Sequence, residues 1–213
     1  MKSDYKNWVL KSMVYGLAGG TIVAFAAFLL LGATRAFLQG TPRLICGIIF
    51  GIATLVLLFY TVWMAALHRT FDYNGKRKLA KTIIEGTAKY VSLPESGVGL
   101  DVRFEEGNAI HLPFDDESFD SVTSNYVYHN ISGHDKQKLL LETLRVLKKG
   151  GTFAIHDLMS PARYGDMDAF VRELKAEGYE DVRLIDTTDG TFMGKKEASW
   201  LGLAGSTLRT GRK

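Results

Sequence analysis

The chain has 213 residues, which is enough for one ordinary domain or two small ones. Its formal net charge is only +3, from 26 basic and 23 acidic residues, so global charge gives no indication of nucleic-acid binding. Hydrophobic residues make up 46% of the chain, which excludes a disordered protein, and the single cysteine, Cys46, excludes a disulfide framework and any Cys-based zinc site. The mean hydropathy of +0.02 is high for a chain with 23% charged residues. This indicates that the average combines two kinds of sequence, a strongly apolar segment and a charged one.

The two kinds of sequence separate near Thr70. Residues 1–70 contain six basic residues and one acid, whereas residues 71–213 contain 20 basic and 22 acidic residues. The first part includes two uncharged apolar stretches, 12–34 and 44–67, and each is long enough for a helix that crosses ~30 Å of hydrocarbon. The sequence therefore predicts a transmembrane helical hairpin over residues 1–70 and a second domain over residues 71–213.

Aromatic, glycine and basic residues are placed as in a membrane hairpin. Trp8 and Trp63 lie near the ends of the apolar stretches, where amphipathic rings favour the membrane interface. Two pairs of glycines have the GxxxG spacing that allows close helix–helix packing, namely Gly16–Gly20 and Gly47–Gly51. Basic residues are concentrated on the outer flanks: Lys2, Lys6, Lys11, Arg69, Lys76, Arg77, Lys78 and Lys81. The positive-inside rule then predicts an integral plasma-membrane protein, with the lipid bilayer as a partner and both termini in the cytoplasm.

Two other interpretations of the apolar stretches are open. The first stretch could be a cleaved signal peptide that precedes a single span, although it is longer than the usual apolar core of such peptides. Both stretches could instead be core helices of a protein without a membrane segment, although their uncharged length argues against this.

The remaining 143 residues alternate between helical and strand patterns. The pattern predicts helices over 76–91, 135–149 and 166–177, and strands over 97–102, 103–107, 119–124, 151–156, 181–187 and 206–211. In the second helix Leu140, Leu141, Leu144 and Leu147 are expected to face inward, with Gly150 as the C-cap. Such alternation predicts an α/β domain with a largely parallel sheet of about five or six strands.

Two blocks of this domain resemble the class I S-adenosylmethionine-dependent methyltransferases, in their small-molecule, type 11-like branch. Residues 112–122, LPFDDESFDSV, resemble the segment that leads into the fourth strand of that family. Residues 144–151, LRVLKKGG, resemble the helix exit before the fifth strand, with Lys149 where proline is usual. The resemblance implies a Rossmann-like methyltransferase sheet and methyl transfer from S-adenosylmethionine to a small or lipidic acceptor. It covers most of residues 76–213 and none of the hairpin.

The resemblance also assigns cofactor-binding residues. Asn108 and Ala109 would contact the adenine ring, and Asn125 and Tyr126 would line the methionine end of S-adenosylmethionine. Asp101 matches the acid that precedes the glycine-rich cofactor loop of the family. These positions agree with the general rule that ligands of open α/β sheets bind at the carboxyl ends of the strands.

The sequence departs from the family directly after Asp101. The glycine-rich loop, the second strand and the acid that binds the ribose are absent between Val102 and Arg103, so about 30 or more residues of a βαβα unit are missing. Because each lost hydrogen bond to a charged acceptor is worth about 1.5–3 kcal/mol, we expect S-adenosylmethionine to bind weakly or not at all.

Polar residues at two strand ends are the candidates for chemistry on the acceptor. His129 is the candidate catalytic base, because an imidazole titrates near working pH. Tyr128, Asn130, His156 and Asp157 are the candidate substrate-binding residues. A hydrogen-bonded loop histidine and a polar strand end are the simpler interpretations of these positions, and no spacing in the sequence predicts a metal site.

The sequence thus predicts a membrane-anchored methyltransferase domain that faces the cytoplasm and acts on a small or lipidic acceptor. The alternative is a non-catalytic, membrane-tethered methyltransferase-like module for binding or scaffolding. A third interpretation is an internally deleted form of a longer enzyme. The sequence indicates no nucleic-acid partner.

Overall fold

The computed structural model of the chain describes residues 7–92 and 107–213. These residues form two compact units, Met1–Lys81 and Thr82–Lys213, and each is described below by itself. Three predicted features lie outside the described residues: the strand over 97–102, most of the strand over 103–107, and Asp101 with the neighbouring Val102–Arg103 junction.

The first unit is built from two long apolar helices. Helix α1 spans Lys11–Ala27 and continues as a π-helical segment over Phe28–Ala33, and helix α2 spans Gly40–Phe71. Both are long and apolar enough to cross a membrane, a statement that rests on length and composition alone. The predicted spans 12–34 and 44–67 fall almost entirely on these helices, and their insertion into a bilayer stays a prediction.

The two helices of this hairpin pack most closely at glycines near the turn. A Cβ atom added to Gly32 would lie 2.3 Å from the Cα of Gly47, so no side chain fits between the backbones there. Gly51 faces the ring of Phe28, whereas Gly16 has no atom within 4 Å of its Cβ position. The closest approach therefore pairs Gly47 with a glycine outside both predicted GxxxG pairs.

In the described part of the second unit, four strands form a mixed sheet that packs with helices. Its strands are β1 (Phe119–Asn125), β2 (Leu147–Leu158), β3 (Glu180–Asp186) and β4 (Ser206–Arg212). Its helices are α3 (Leu79–Ala88, which crosses the unit boundary), a 3₁₀ turn (Tyr128–Asn130), α4 (Lys136–Arg145), α5 (Pro161–Tyr164), α6 (Met167–Ala176) and α7 (Lys195–Leu201).

The strand order is β1-β2-β4-β3. Strand β1 runs parallel to β2, and β4 runs antiparallel to both β2 and β3. Strands β1, β2 and β3 therefore share one direction, and β4, which lies between β2 and β3, runs opposite and makes the described sheet mixed. The sequence pattern could not reveal this, because the long connection from β3 to β4 contains helix α7, which is typical of a parallel crossover, yet β4 returns in the opposite direction.

Helix α4 is shorter than predicted. Asp135 caps it by accepting a hydrogen bond from Gln137 N at 2.9 Å, and the helix ends at Arg145. The predicted C-cap, Gly150, lies instead inside β2 with a φ of +79°. The pairing register jumps from Leu147 opposite Phe119 to Thr152 opposite Ser121, so the extra residues bulge out and need a glycine with a left-handed backbone.

One continuous core lies between the sheet and helices α4 and α6. Leu140 and Leu144 of α4 and Phe170 of α6 are buried against Phe153 and Ile155 of β2. Leu141, which was expected to face inward, is 40% exposed, and Leu139 is buried in its place. The inward face of α4 therefore includes Leu139 and not Leu141.

Arg145 joins the two sequence blocks that carry the family resemblance. Its guanidinium donates to the carbonyl oxygens of Phe114 at 2.9 Å and Leu112 at 3.1 Å, and it pairs with carboxylate oxygens of Asp116 at 2.6 Å and Glu142 at 2.8 Å. Hydrogen bonds to both carboxylates raise the pKa of Arg145 above its already high ordinary value. The loop before β1 is thus fastened to the end of α4, so both blocks are needed to form one structural joint.

Candidate functional site

The carboxyl ends of β1 and β2 lie side by side, as expected for parallel neighbours. After β1 the chain turns at Tyr126, whose φ is +54°, and enters the short 3₁₀ turn that contains His129. After His156, which pairs with Asn125, β2 continues through Asp157. The candidate residues from the two strand ends are therefore brought together by the sheet.

His129 and Asp157 form a hydrogen-bonded pair at this edge. Nδ1 of His129 lies 2.6 Å from Oδ1 of Asp157, a residue that is completely buried, whereas the His129 side chain keeps 18% of its surface exposed. Because the carboxylate accepts, Nδ1 carries the proton and Nε2 is left as the basic nitrogen. This arrangement has the geometry of a base with an orienting carboxylate, which the sequence did not predict as a pair.

The Asp157 carboxylate is also held by three backbone N–H groups. Oδ2 accepts from Tyr128 N at 2.8 Å and from His129 N at 3.2 Å, and Oδ1 accepts from Leu158 N at 2.7 Å. The 3₁₀ turn has free N–H groups at its start, so an acid at the end of the neighbouring strand satisfies them. The Asp157 carboxylate is thus held both by the imidazole of His129 and by backbone N–H groups.

His156 is buried and serves a structural contact. Its Nε2 lies 2.8 Å from Thr187 Oγ1, and because that hydroxyl donates to Ser206 O, Nε2 is the donor and the hydroxyl the acceptor. Burial lowers the pKa of His156 to about 4, so the ring is neutral at neutral pH. The structure therefore places this predicted substrate residue inside the sheet, fully screened from solvent.

The residues predicted to line the methionine end of the cofactor are engaged within the domain. Asn125 Oδ1 accepts from Thr87 Oγ1 of α3 at 2.9 Å, and the Tyr126 hydroxyl lies 2.7 Å from Ser206 Oγ. Burial raises the pKa of Tyr126 above its ordinary value, so its hydroxyl stays protonated. Both side chains hold parts of the second unit together.

The other predicted residues lie around this pair in different environments. Tyr128 is buried, with its hydroxyl against Thr143 Oγ1, and burial raises the pKa of this phenol. Asn130 is exposed and donates to Tyr126 O at 3.1 Å. Asn108 is exposed and accepts at Oδ1 from Ile110 N, a local turn contact, and Ala109 packs against the core.

Among the described residues, the side chains predicted for the acceptor and those predicted for the cofactor have different surroundings. His129 and Asp157 form a hydrogen-bonded pair, whereas Asn125 and Asn108 each accept one bond at Oδ1, from Thr87 and from a local turn, and the Tyr126 hydroxyl lies against Ser206. Each amide keeps a second lone pair on Oδ1 and the donors of its NH₂ group. No glycine in the described ranges lies at the carboxyl end of β1 or β2 to cradle a nucleoside. Residues 7–92 and 107–213 therefore do not by themselves form a complete site for S-adenosylmethionine.

Sequence reasoning missed the hydroxyl residues that position this site. Thr87, Thr187 and Ser206 come from a helix and from two strand ends that are distant in sequence. The Thr187–Thr188 pair at the end of a predicted strand was the available signal, because polar residues at strand ends gather at one edge of a sheet.

Comparisons with known proteins agree with the predicted class. Residues 64–155 match the family model described as a methyltransferase domain. The uncharacterized methyltransferase YcgJ of Bacillus subtilis is 38% identical over 94 residues, which are 44% of this chain and 35% of that protein. A demethylmenaquinone methyltransferase of Bacillus cytotoxicus is 30% identical over 146 residues, which are 63% of this chain and 60% of that enzyme.

Among solved structures, the cyclase SpnF superposes with a TM-score of 0.39 and 18% identity, covering 65% of this chain and 63% of that one. The chain spans 35% and 60% of the lengths of the two curated relatives named above. The sequence matches identify methyltransferase-domain sequence in this chain and support the predicted enzyme class, the S-adenosylmethionine-dependent methyltransferases.

Proposed function

We propose that this chain is a membrane-anchored methyltransferase of the S-adenosylmethionine-dependent class, with the His129–Asp157 pair as the base that prepares the acceptor. The observation that carries the proposal is the 2.6 Å contact between His129 Nδ1 and a buried carboxylate, which makes Nε2 the ring nitrogen that can accept a proton. Such a general base contributes about 10²–10⁴-fold to a rate.

The proton step follows from this geometry. An O–H or acidic C–H proton of the acceptor passes to Nε2 of His129, and the electron pair of that bond stays on the acceptor, which becomes the nucleophile. The imidazolium that forms is stabilised by the Asp157 carboxylate at Nδ1. The reaction therefore suits acceptors whose nucleophilic atom begins protonated.

For the acceptor we propose a membrane-soluble quinol. Several relatives are named demethylmenaquinone methyltransferases, and two long apolar helices lie at the N-terminal side of the methyltransferase match, the second overlapping its first residues. A quinol has an acidic hydroxyl for His129, and a lipidic acceptor would share the bilayer with the predicted anchor. The predicted cytoplasmic orientation and plasma-membrane location belong to the same proposal.

The test uses the full chain in lipid nanodiscs with radiolabelled S-adenosylmethionine and reduced demethylmenaquinone. Methyl transfer is expected, and His129→Gln should lower its rate by about 10²–10⁴-fold. His134→Gln is the matched control, because His134 is an exposed histidine five residues away that should leave the rate unchanged. An unaltered rate of methyl transfer in the His129 variant would show that His129 is not the base.

The second candidate function is a non-catalytic, membrane-tethered binding module. It is favoured by the internal hydrogen bonds of Asn125 and Tyr126, which give both side chains a structural role, and by the glycine-rich loop that the sequence lacks after Asp101. Isothermal calorimetry with S-adenosylmethionine separates the two candidates. A Kd in the low micromolar range would contradict weak cofactor binding, whereas neither binding nor turnover would favour the module.

A further inference from the structure

A small cavity with two basic side chains lies at one end of the helical hairpin. It occupies about 190 Å³ between the first turns of α1 and the last turns of α2. Its lining residues are Lys11, Val14, Tyr15, Ala65, His68 and Arg69. We call this cavity the basic pocket.

In the described part of the chain, no acid pairs with the two cations of the basic pocket. Neither Lys11 nor Arg69 forms an ion pair with any residue that the structure describes. Asp72 is the only acid in the sequence from 7 to 81, and its carboxylate caps a turn by accepting from Asn74 N at 3.0 Å. The pocket therefore has a net positive charge that a bound anion would balance.

The wall that carries His68 is fixed by the residues before α1. Nδ1 of His68 lies 2.7 Å from Val9 O, and Asn7 Nδ2 donates to His68 O at 2.8 Å. The Trp8 ring stacks on Phe71 with its centroid 5.3 Å away. These contacts fasten residues 7–9 to the end of α2, so the pocket is largely organised before a ligand binds.

The lining favours an amphiphilic anion. Val14 and Ala65 supply apolar surface beside the two cations, and Tyr15 is 72% exposed at the same end of the hairpin. Aromatic residues such as Trp8 and Tyr15 typically lie at the level of lipid headgroups, with apolar side chains deeper in the bilayer. Farther along the helices, Ile22 and Val62 are 69% and 61% exposed, as expected beside acyl chains.

We propose that the basic pocket binds the phosphate headgroup of an anionic phospholipid. Lys11 and Arg69 would pair with the phosphate oxygens, and the acyl chains would follow the apolar surface of the hairpin. The proposal rests on the proposed insertion of the hairpin into a membrane. Each basic residue near an anionic membrane surface contributes about 1 kcal/mol, so the two together correspond to about 30-fold in affinity.

The test is native mass spectrometry of the full chain in detergent, titrated with equal concentrations of phosphatidylglycerol and phosphatidylcholine. The wild-type chain should retain phosphatidylglycerol preferentially, and the double variant Lys11→Gln/Arg69→Gln should lose about 10-fold or more of that preference. Arg35→Gln/Arg43→Gln is the control of equal charge change, because both arginines lie near the other end of the helices. Equal losses in the two double variants would overturn the pocket, since the preference would then depend on overall charge.

Two further measurements separate the sources of failure. Competition by inorganic phosphate at low millimolar concentration would overturn the assignment to a lipid. Alkaline carbonate extraction of membranes reports whether the hairpin is inserted, and release of the chain would contradict the anchor itself. Retention of the chain together with lost lipid preference in the control variant would overturn the pocket and leave the anchor standing.

Discussion

His129 and Asp157 are 28 residues apart in sequence, yet Nδ1 of the imidazole lies 2.6 Å from the buried carboxylate. The same carboxylate accepts from three backbone N–H groups, two of them in the turn that carries the histidine. Asp157 therefore orients the proposed base and fixes the turn after β1, and its loss should affect stability as well as catalysis.

Asp157→Asn is expected to destabilise the second unit by about 2–4 kcal/mol. The amide keeps the shape of the side chain but turns an NH₂ group toward N–H donors, which leaves buried donors without an acceptor. Urea unfolding of the full chain in detergent, followed by near-ultraviolet circular dichroism, measures the change. Asp135→Asn is the control, because an N-cap tolerates asparagine and aspartate equally. Equal stability of the two variants would contradict the proposed role of Asp157.

Stability is expected to fall as the pH decreases from about 6.5 to about 4. Burial lowers the pKa of His156 from 6.5 to about 4, so in this window the unfolded chain takes up a proton that the folded chain does not. The loss should reach roughly 3 kcal/mol at the acid end of the window. His156→Gln should remove most of this pH dependence in urea titrations at pH 7.5, 6 and 5. His134→Gln should retain it, because His134 is exposed.

Arg209→Met is expected to stabilise the second unit by about 1–3 kcal/mol. Arg209 is completely buried between Phe153 and Phe170, and none of its guanidinium nitrogens has a hydrogen-bond partner in the described part of the chain. Burial lowers its pKa to about 9, and the cost of burying the charge exceeds what two cation–π contacts return.

The lysine variant at the same position is the control for Arg209. Arg209→Lys keeps a charge in the core but loses the planar contact with both rings, so it should be less stable than wild type. The thermal unfolding temperatures of wild type, Arg209→Met and Arg209→Lys rank the three proteins by stability. A methionine variant that is less stable than wild type would show that the cation–π contacts outweigh desolvation.

Gly32→Ala is expected to loosen the helical hairpin. The added methyl group would lie 2.3 Å from the Cα of Gly47, a backbone atom that can move only if the helices separate. The distance between Thr21 and Thr61, whose hydroxyls are 3.0 Å apart, reports this separation. In a Cys46→Ala background, Thr21→Cys/Thr61→Cys should form a disulfide readily, and Gly32→Ala should lower the yield several-fold. Gly16→Ala should leave the yield unchanged, because Gly16 faces open space.

Sequence patterns predicted the local elements of this protein well. Helix α6 begins after Asp166, which accepts from Ala169 N at 2.8 Å, and ends before Gly178, as the capping pattern indicates. The four described strands were located to within four residues at each end, because alternating burial and glycine boundaries are properties of a short segment.

Properties that depend on distant residues were not predictable in this way. The direction of β4 and the bulge at Gly150 depend on pairing across the sheet, and the buried face of α4 depends on packing against the core. At the site, His129 and Asp157 were each predicted, but their pairing was not, since it requires the parallel alignment of β1 with β2. The partner of His156, Thr187, comes from the end of another strand.

The joint made by Arg145 has a consequence for how sequences of this kind are classified. The two blocks that carry the methyltransferase resemblance meet where Arg145 donates to the carbonyl oxygens of Leu112 and Phe114. In the described part of the chain, no hydrogen bond or ion pair joins these three residues to His129 or Asp157. A related protein without catalytic activity would still need this joint to hold the loop before β1 against the end of α4. The two blocks therefore indicate a scaffold of shared ancestry. Whether such a protein is catalytic has to be judged from the carboxyl ends of β1 and β2, where the candidate site lies.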